Sequence, residues 1–258
     1  EEVIIRPIEH EYDYREVFYI SHMFDYKMKE DVDDCFNLLQ IEHDKTAQIS
    51  ILDIKNNDGL IDLSPCIGIL QEASFFENYD IDAEIDFYKQ SLSKKKIAEY
   101  VFKKNASFEE KVLLLVALKT GHKRYMTQVQ IPFVGEIALA KIHNRLRELF
   151  TPKEDVQKKC SILFKNNGHE QHCDGICDVI KDDKVWELKF TSELMHEHYL
   201  QCACYMVALS KTKGVLWNVR TNERAFITIP NREKFMYSVV KTITKGKATN
   251  IELIFGDI

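Results

Sequence analysis

The clearest hydrophobic rhythm in the chain begins at Gly135. Leu139, Ile142, Leu146 and Leu149 recur at steps of three, four and three, one buried stripe of a helix over GEIALAKIHNRLRELF that Pro152 stops. His143 lies beside that stripe. Residues 160–164 then predict a strand, Asn166-Asn167-Gly168 a loop, and residues 173–190 (CDGICDVIKDDKVWELKF) a hairpin of two strands. The helix that follows carries Met195, Tyr199, Cys202, Met206 and Leu209 on its core face. Leu194, His198, Gln201 and Tyr205 form the stripe beside it. Residues 214–220 and 224–229 predict two more strands around Thr221-Asn222-Glu223, and Pro230 ends the second. Residues 231–245 predict a last helix with Phe235 and Val239 facing inward. The predicted order is helix, three strands, helix, two strands, helix.

The first part of the chain is less regular. Residues 2–8 predict a short strand, and the segment to about Leu39 is aromatic and acidic with weak helical periodicity. Residues 48–61 read as a hairpin around Asn56-Asn57-Asp58-Gly59. Residues 83–119 read as two helices broken near Asn105-Ala106-Ser107, with Ser107 capping the second and Glu110 three residues on. Residues 126–133 alternate as a strand or extended approach ended by Pro132. No repeat or low-complexity segment interrupts the chain. The expected division is an acidic α+β extension over residues 1–120 and a core over 121–258. Residues 1–100 show no chemistry, and they read as a family-specific extension, a partner-binding domain or a substrate-guiding lobe.

Composition narrows the class. A chain of 258 residues with 45% hydrophobic content is long enough for one large domain or two smaller ones. No apolar run reaches the roughly 18–20 residues of a membrane helix, and nothing resembles a signal peptide, so no membrane partner is expected. Seven cysteines, odd in number and irregularly spread, fit reduced thiols and an intracellular location in cytoplasm or nucleus. Glu1 in place of Met fits a processed or excised piece. The net charge of −6 hides an asymmetry. Residues 1–100 hold 10 Lys and Arg against 23 Asp and Glu, a net of −13; residues 101–258 hold 25 against 18, a net of +7. A nucleic-acid surface is expected on the second part, and a protein partner for the acidic first part.

The hairpin carries the candidate chemistry. With Asp182-Asp183 as a two-residue turn, Lys181 faces Lys184, Ile180 faces Val185, and Asp178 faces Glu187. Directly opposed residues have Cβ atoms about 4.5–5.5 Å apart. Two carboxylates so placed repel unless something neutralises them, and hard carboxylate oxygens suit Mg²⁺ or Mn²⁺. Alternation puts Lys189 on the face of Glu187 and sends Trp186, Leu188 and Phe190 to the core. A lysine there can orient an attacking water and stabilise charge on phosphoryl oxygens. Each of the three alone is more readily a solvent-face residue of an ordinary hairpin; the reading rests on all three sharing one face. On the next helix, Gln201 and Tyr205 are four apart and share one surface, where they can hydrogen-bond a phosphate, a base or the lysine.

Gly175-x-x-Asp178, Glu187-x-Lys189 and Gln201-x-x-x-Tyr205, with His143 on an upstream helix, resemble the RecB-like exonuclease branch of the PD-(D/E)XK nuclease superfamily over roughly residues 135–245. The resemblance implies an α/β, restriction-endonuclease-like core with a central mixed sheet flanked by helices. It implies metal-dependent hydrolysis of DNA, with Mg²⁺ or Mn²⁺ held by His143, Asp178, Glu187 and the Leu188 carbonyl, and with Lys189 as the catalytic lysine. Gln201 and Tyr205 would support the site and the substrate strand. Glu136, about 10 Å from His143 along the helix, is a more distant candidate for substrate contact. The implied activity is exonucleolytic or strand-processing, on single strands or duplex ends, in replication, repair or recombination. RNA is the alternative substrate, and a non-catalytic binding module on the same scaffold the alternative function. Cys177 stands where the family name places Pro, and residues 1–100 match nothing in the family. No Cys follows Cys204, so the [4Fe–4S] cluster of some RecB-like nucleases is not expected. His169, His172, Cys173 and Cys177 lack the spacing of a zinc knuckle.

Overall fold

The computed structural model describes residues 19–52, 54, 61–90, 92–100, 102–248 and 250–254. The strand expected over residues 2–8 and most of the hairpin expected over 48–61 lie outside them. Its backbone is a seven-stranded mixed sheet with helices on both faces. In chain order the elements are α1 (Lys29–Phe36), β1 (Gln40–His43), α2 (Ser64–Phe75), α3 (Ile81–Lys89), α4 (Lys94–Ile97), α5 (Phe108–Thr120), α6 (Arg124–Gln128) and α7 (Glu136–Leu146). They continue as β2 (Asp155–Asn166), β3 (His169–Lys181), β4 (Lys184–Lys189), α8 (His196–Ala208), β5 (Gly214–Asn218), β6 (Glu223–Thr228), α9 (Arg232–Ile243) and β7 (Ile251–Ile254). The sheet order is β1-β6-β5-β4-β3-β2-β7. Only β4 and β5 pair in parallel, because α8 crosses between them; the other neighbours are antiparallel.

The central strands are apolar on both faces because both are covered. Trp186, Leu188, Val215 and Trp217 pack under α2, α3, α5 and α7. Val185, Leu216, Ala225 and Ile227 pack under α1, α8 and α9. All five residues of β5 are buried. In α5, every residue from Val112 to Leu118 is buried, so this helix runs through the first layer rather than over it. Ser107 closes it with the expected capping box, its hydroxyl accepting from the Glu110 amide and the Glu110 carboxylate accepting from the Ser107 amide.

The second part follows the predicted order, with Phe235 and Val239 of α9 fully buried. Two corrections apply. Residues 126–133 are not a strand: α6 takes Met126 to Gln128, and from Val129, whose backbone is extended, to Phe133 the chain joins no ladder of the sheet. The sheet also takes strands from outside the predicted set. β1 pairs with β6 through Gln40↔Thr228 to His43↔Ala225, and β7 pairs with β2. The expected boundary at residue 120 therefore has strands of one sheet on both sides of it.

Candidate active site

The hairpin takes the register of the pairing arithmetic next to its turn, but Asp178 and Glu187 are not a ladder pair. Lys181↔Lys184, Ile180↔Val185 and Val179↔Trp186 are in register. Asp182 and Asp183 have φ of 51° and 57°, the left-handed pair that a tight hairpin turn needs. Beyond Val179 the strands diverge. Cys177 and Ile180 pack on the α8 side while Val179 packs on the other, so strict alternation breaks at Asp178. On the neighbouring strand Gln157, opposite Asp178 by register, has φ of 54°. This irregularity re-aims the Asp178 side chain, as bulges beside active sites do. Asp178 Oδ2 accepts the Leu188 amide at 2.7 Å, one residue beyond the partner that a continued ladder would give it.

Glu187 and Lys189 both project toward α8. Lys189 Nζ donates to Glu187 Oε1 and to Gln201 Oε1, each at 2.8 Å, and Gln201 Nε2 donates to the Tyr205 hydroxyl at 3.5 Å. The chain Glu187, Lys189, Gln201, Tyr205 thus joins four of the predicted residues. Glu187 is 1% exposed, and its Oε2 is buried without a hydrogen-bond partner. Gly175 is needed for Tyr205: a Cβ there would stand 2.6 Å from the Tyr205 Cε1.

These residues line a cavity of about 360 Å³ between α2 and α5 on one side and α8 on the other. Its wall includes Asp178, Glu187, Leu188, Lys189, Gln201 and Tyr205. It also includes Asp62 and Glu72, from the first hundred residues, where the sequence shows no chemistry, and Lys119 near the end of α5. Burial pushes the Asp178 carboxyl well above the ordinary carboxylate range, and Glu187 adds to this, against Lys189 and the Leu188 amide. Glu72 is raised by burial and then by Asp178, with Lys119 opposing. Burial lowers the Lys119 pKa, but Tyr88, Glu84, Asp178 and Glu72 carry it well above the ordinary lysine range. Its Nζ donates to Glu84 Oε1 at 3.1 Å.

The remaining predicted residues are elsewhere. His143 is not among the cavity-lining residues; its Nε2 hydrogen-bonds Ser74 Oγ at 2.8 Å, and its ring lies 5.7 Å from that of Phe75. Burial and then Arg147 lower its pKa, and the ring lies between α2 and α7. Glu136 is exposed at the start of α7 and does not line the cavity. The helix that approaches the carboxylate pair is α2, and it brings Glu72. The signal for Glu72 was a lone carboxylate inside an apolar helix, SPCIGILQEASF, and for Lys119 a lysine ending the apolar run of α5.

A divalent cation fits this donor set. Among the described residues no three His, Cys, Asp and Glu side chains converge as a complete cage. Mg²⁺ characteristically takes one or two carboxylates and completes its shell with water and substrate phosphate. The unpartnered Glu187 oxygen and the mutually repelling carboxyls of Asp178 and Glu72 are what such an ion relieves.

A search of curated proteins finds no match. Among solved structures, the crystal structure of SSO0001 aligns over 66% of this chain and 86% of its own, at 13% identity and a TM-score of 0.38. Residues 144–228 match the model of the PD-(D/E)XK nuclease superfamily, a span that contains the Asp178 hairpin, Lys189 and the Gln201–Tyr205 helix. Over residues 144–228 the chain is thus similar to the PD-(D/E)XK nuclease superfamily, and its mixed sheet flanked by helices is consistent with a restriction-endonuclease-like core.

Proposed function

We propose that this cavity hydrolyses DNA phosphodiesters with Mg²⁺ or Mn²⁺, as an exonuclease or strand-processing enzyme. Asp178 and Glu187 are the side-chain ligands, the Leu188 carbonyl is a main-chain donor, and Glu72 of α2 is a further carboxylate on the cavity wall. The observation that carries the reading is the buried, unpartnered Glu187 oxygen beside a raised Asp178, in a cavity that also holds a lysine. Bound there, the ion supplies Lewis acidity to a phosphoryl oxygen and charge compensation for the carboxylates.

The chain's own residues do the rest. Lys189 is held by Glu187 and Gln201, so its ammonium is fixed without rotamer search. From there it orients the attacking water and stabilises the charge that grows on the phosphoryl oxygens. The attacking water gives up a proton to solvent as its oxygen bonds to phosphorus, the ester P–O bond breaks, and the leaving sugar oxygen takes a proton from solvent in return. Tyr205 backs Gln201, and Gln201 keeps Lys189 from turning wholly onto Glu187.

The test incubates the chain with end-labelled single- and double-stranded DNA and RNA in Mg²⁺, Mn²⁺ or EDTA. Cleavage of DNA that EDTA stops is expected, falling by about 100-fold or more in Asp178→Asn and Lys189→Met with the fold retained. Undiminished cleavage in both variants sinks the assignment, and selective cleavage of RNA moves the substrate.

A further inference from the structure

His198 lies three residues before Gln201, on the stripe of α8 that faces the cavity, and it lines the same wall as Lys189 and Tyr205. It occupies the third position of α8, where it makes a reciprocal cap. Its amide donates to the Met195 carbonyl at 3.0 Å, and its Nδ1 accepts the Met195 amide at 2.9 Å. A ring nitrogen that accepts a backbone N–H carries no proton, so the neutral ring must carry its proton on Nε2. The cap therefore decides both the tautomer and the orientation of the ring.

The surroundings keep it neutral. Burial and the nearby Lys189 ammonium lower its pKa to about 3, with Asp25 opposing. Ionising the ring would also break the cap, because Nδ1 would then compete as a donor with the Met195 amide. The cavity thus has a neutral N–H donor, held in position by a helix cap, beside a charged lysine.

We propose that His198 is a substrate-positioning residue, donating its Nε2 proton to a non-bridging phosphate oxygen of the nucleic-acid strand. This deepens the nuclease reading and rests on it. Asp178, Glu187 and Glu72 repel a phosphate, and Lys189 is shared between Glu187 and Gln201. A neutral donor contacts a phosphate oxygen without neutralising the carboxylates that the metal needs, and a fixed cap makes the contact without cost in side-chain order.

Three substitutions separate the donor from the cap. Gln and Glu at this helix position both reach back to the Met195 amide, as in a capping box, but only Gln keeps an N–H to offer. Met keeps the length of Gln and has neither function. Binding of a fluorescent single-stranded oligonucleotide is measured by anisotropy in EDTA, with thermal unfolding alongside. His198→Gln is expected to bind within about twofold of the parent. His198→Met and His198→Glu are expected to weaken binding about tenfold, roughly the weight of one hydrogen bond to a charged oxygen. Unfolding is expected to be unchanged in Gln and Glu and lowered in Met. Metal-dependent turnover should show the loss in KM rather than kcat. If Met binds as tightly as Gln, the donor role is overturned while the nuclease reading stands. If the parent chain neither binds nor cuts nucleic acid, both fall together.

Discussion

Glu187 is the residue on which structure and chemistry disagree most. One carboxylate oxygen is held by Lys189, and the other is buried with no partner, an arrangement that costs stability until something binds. Glu187→Gln keeps an acceptor for Lys189 and removes the charge that repels Asp178. It is expected to stabilise the metal-free chain by about 1 kcal/mol, a trade of stability against function seen at many active sites. The same variant should lose the rise in unfolding temperature that Mn²⁺ gives the parent. A lower unfolding temperature in EDTA would show that the charge is satisfied in some other way. The contacts among Glu187, Lys189, Gln201 and Tyr205 follow from strand alternation and helical spacing, whereas the direction of Asp178 does not. His143 became a ligand candidate through the family resemblance; helix periodicity puts it only beside the buried stripe and does not say which neighbour it meets, and that neighbour is Ser74.

At the scale of elements, β3 is where local rules stop working. Turn geometry set the register of the hairpin, and three of its pairs follow. The break in alternation at Asp178 comes from the neighbouring β2, where Gln157 takes a left-handed φ and sends its side chain to Asp80 and Glu84. Gly175 reports another contact between elements, the approach of Tyr205 from α8. Gly175→Ala forces that ring aside and should cost about 1–3 kcal/mol in denaturant unfolding, as overpacking does. Cleavage should fall as well, because Tyr205 supports Gln201 and through it Lys189. A variant that unfolds at the parent's denaturant midpoint would refute the packing argument. β1 and β7, four residues each, escaped the sequence reading because short edge strands carry too few residues to show a period.

For the whole molecule, the first part of the chain matters to the site more than its composition suggests. Glu84 of α3 joins three elements at once. Its carboxylate accepts from Tyr79 at 2.5 Å, from Gln157 of β2 at 2.8 Å and from Lys119 of α5 at 3.1 Å. Burial alone would raise its pKa, but Lys119, Tyr79 and Gln157 outweigh burial and lower it. A lowered carboxyl stabilises the fold above its unfolded pKa and loses that contribution as pH falls through the folded value. Acid unfolding should therefore include Glu84, and Glu84→Gln should flatten the stability profile below about pH 4.5. Near neutral pH the variant is expected to be about 2–3 kcal/mol less stable, less than for a fully buried pair because Lys119 retains some solvent. Urea unfolding across pH measures both, and an unchanged acid limb would remove Glu84 from the account.

The sequence by itself determined the order of elements in the second part, the hairpin turn and the line from Glu187 through Lys189 to Gln201 and Tyr205. These follow from periods of 2 and 3.6 and from residues near one another in the chain. Only the tertiary structure decided that Glu72 and Lys119 share the cavity with them, that Asp178 turns to the Leu188 amide, and that His143 stands apart. Those placements depend on which helix lies over which strand. That is settled by burying apolar faces between segments about a hundred residues apart, such as Glu72 and Asp178, and no local period records it.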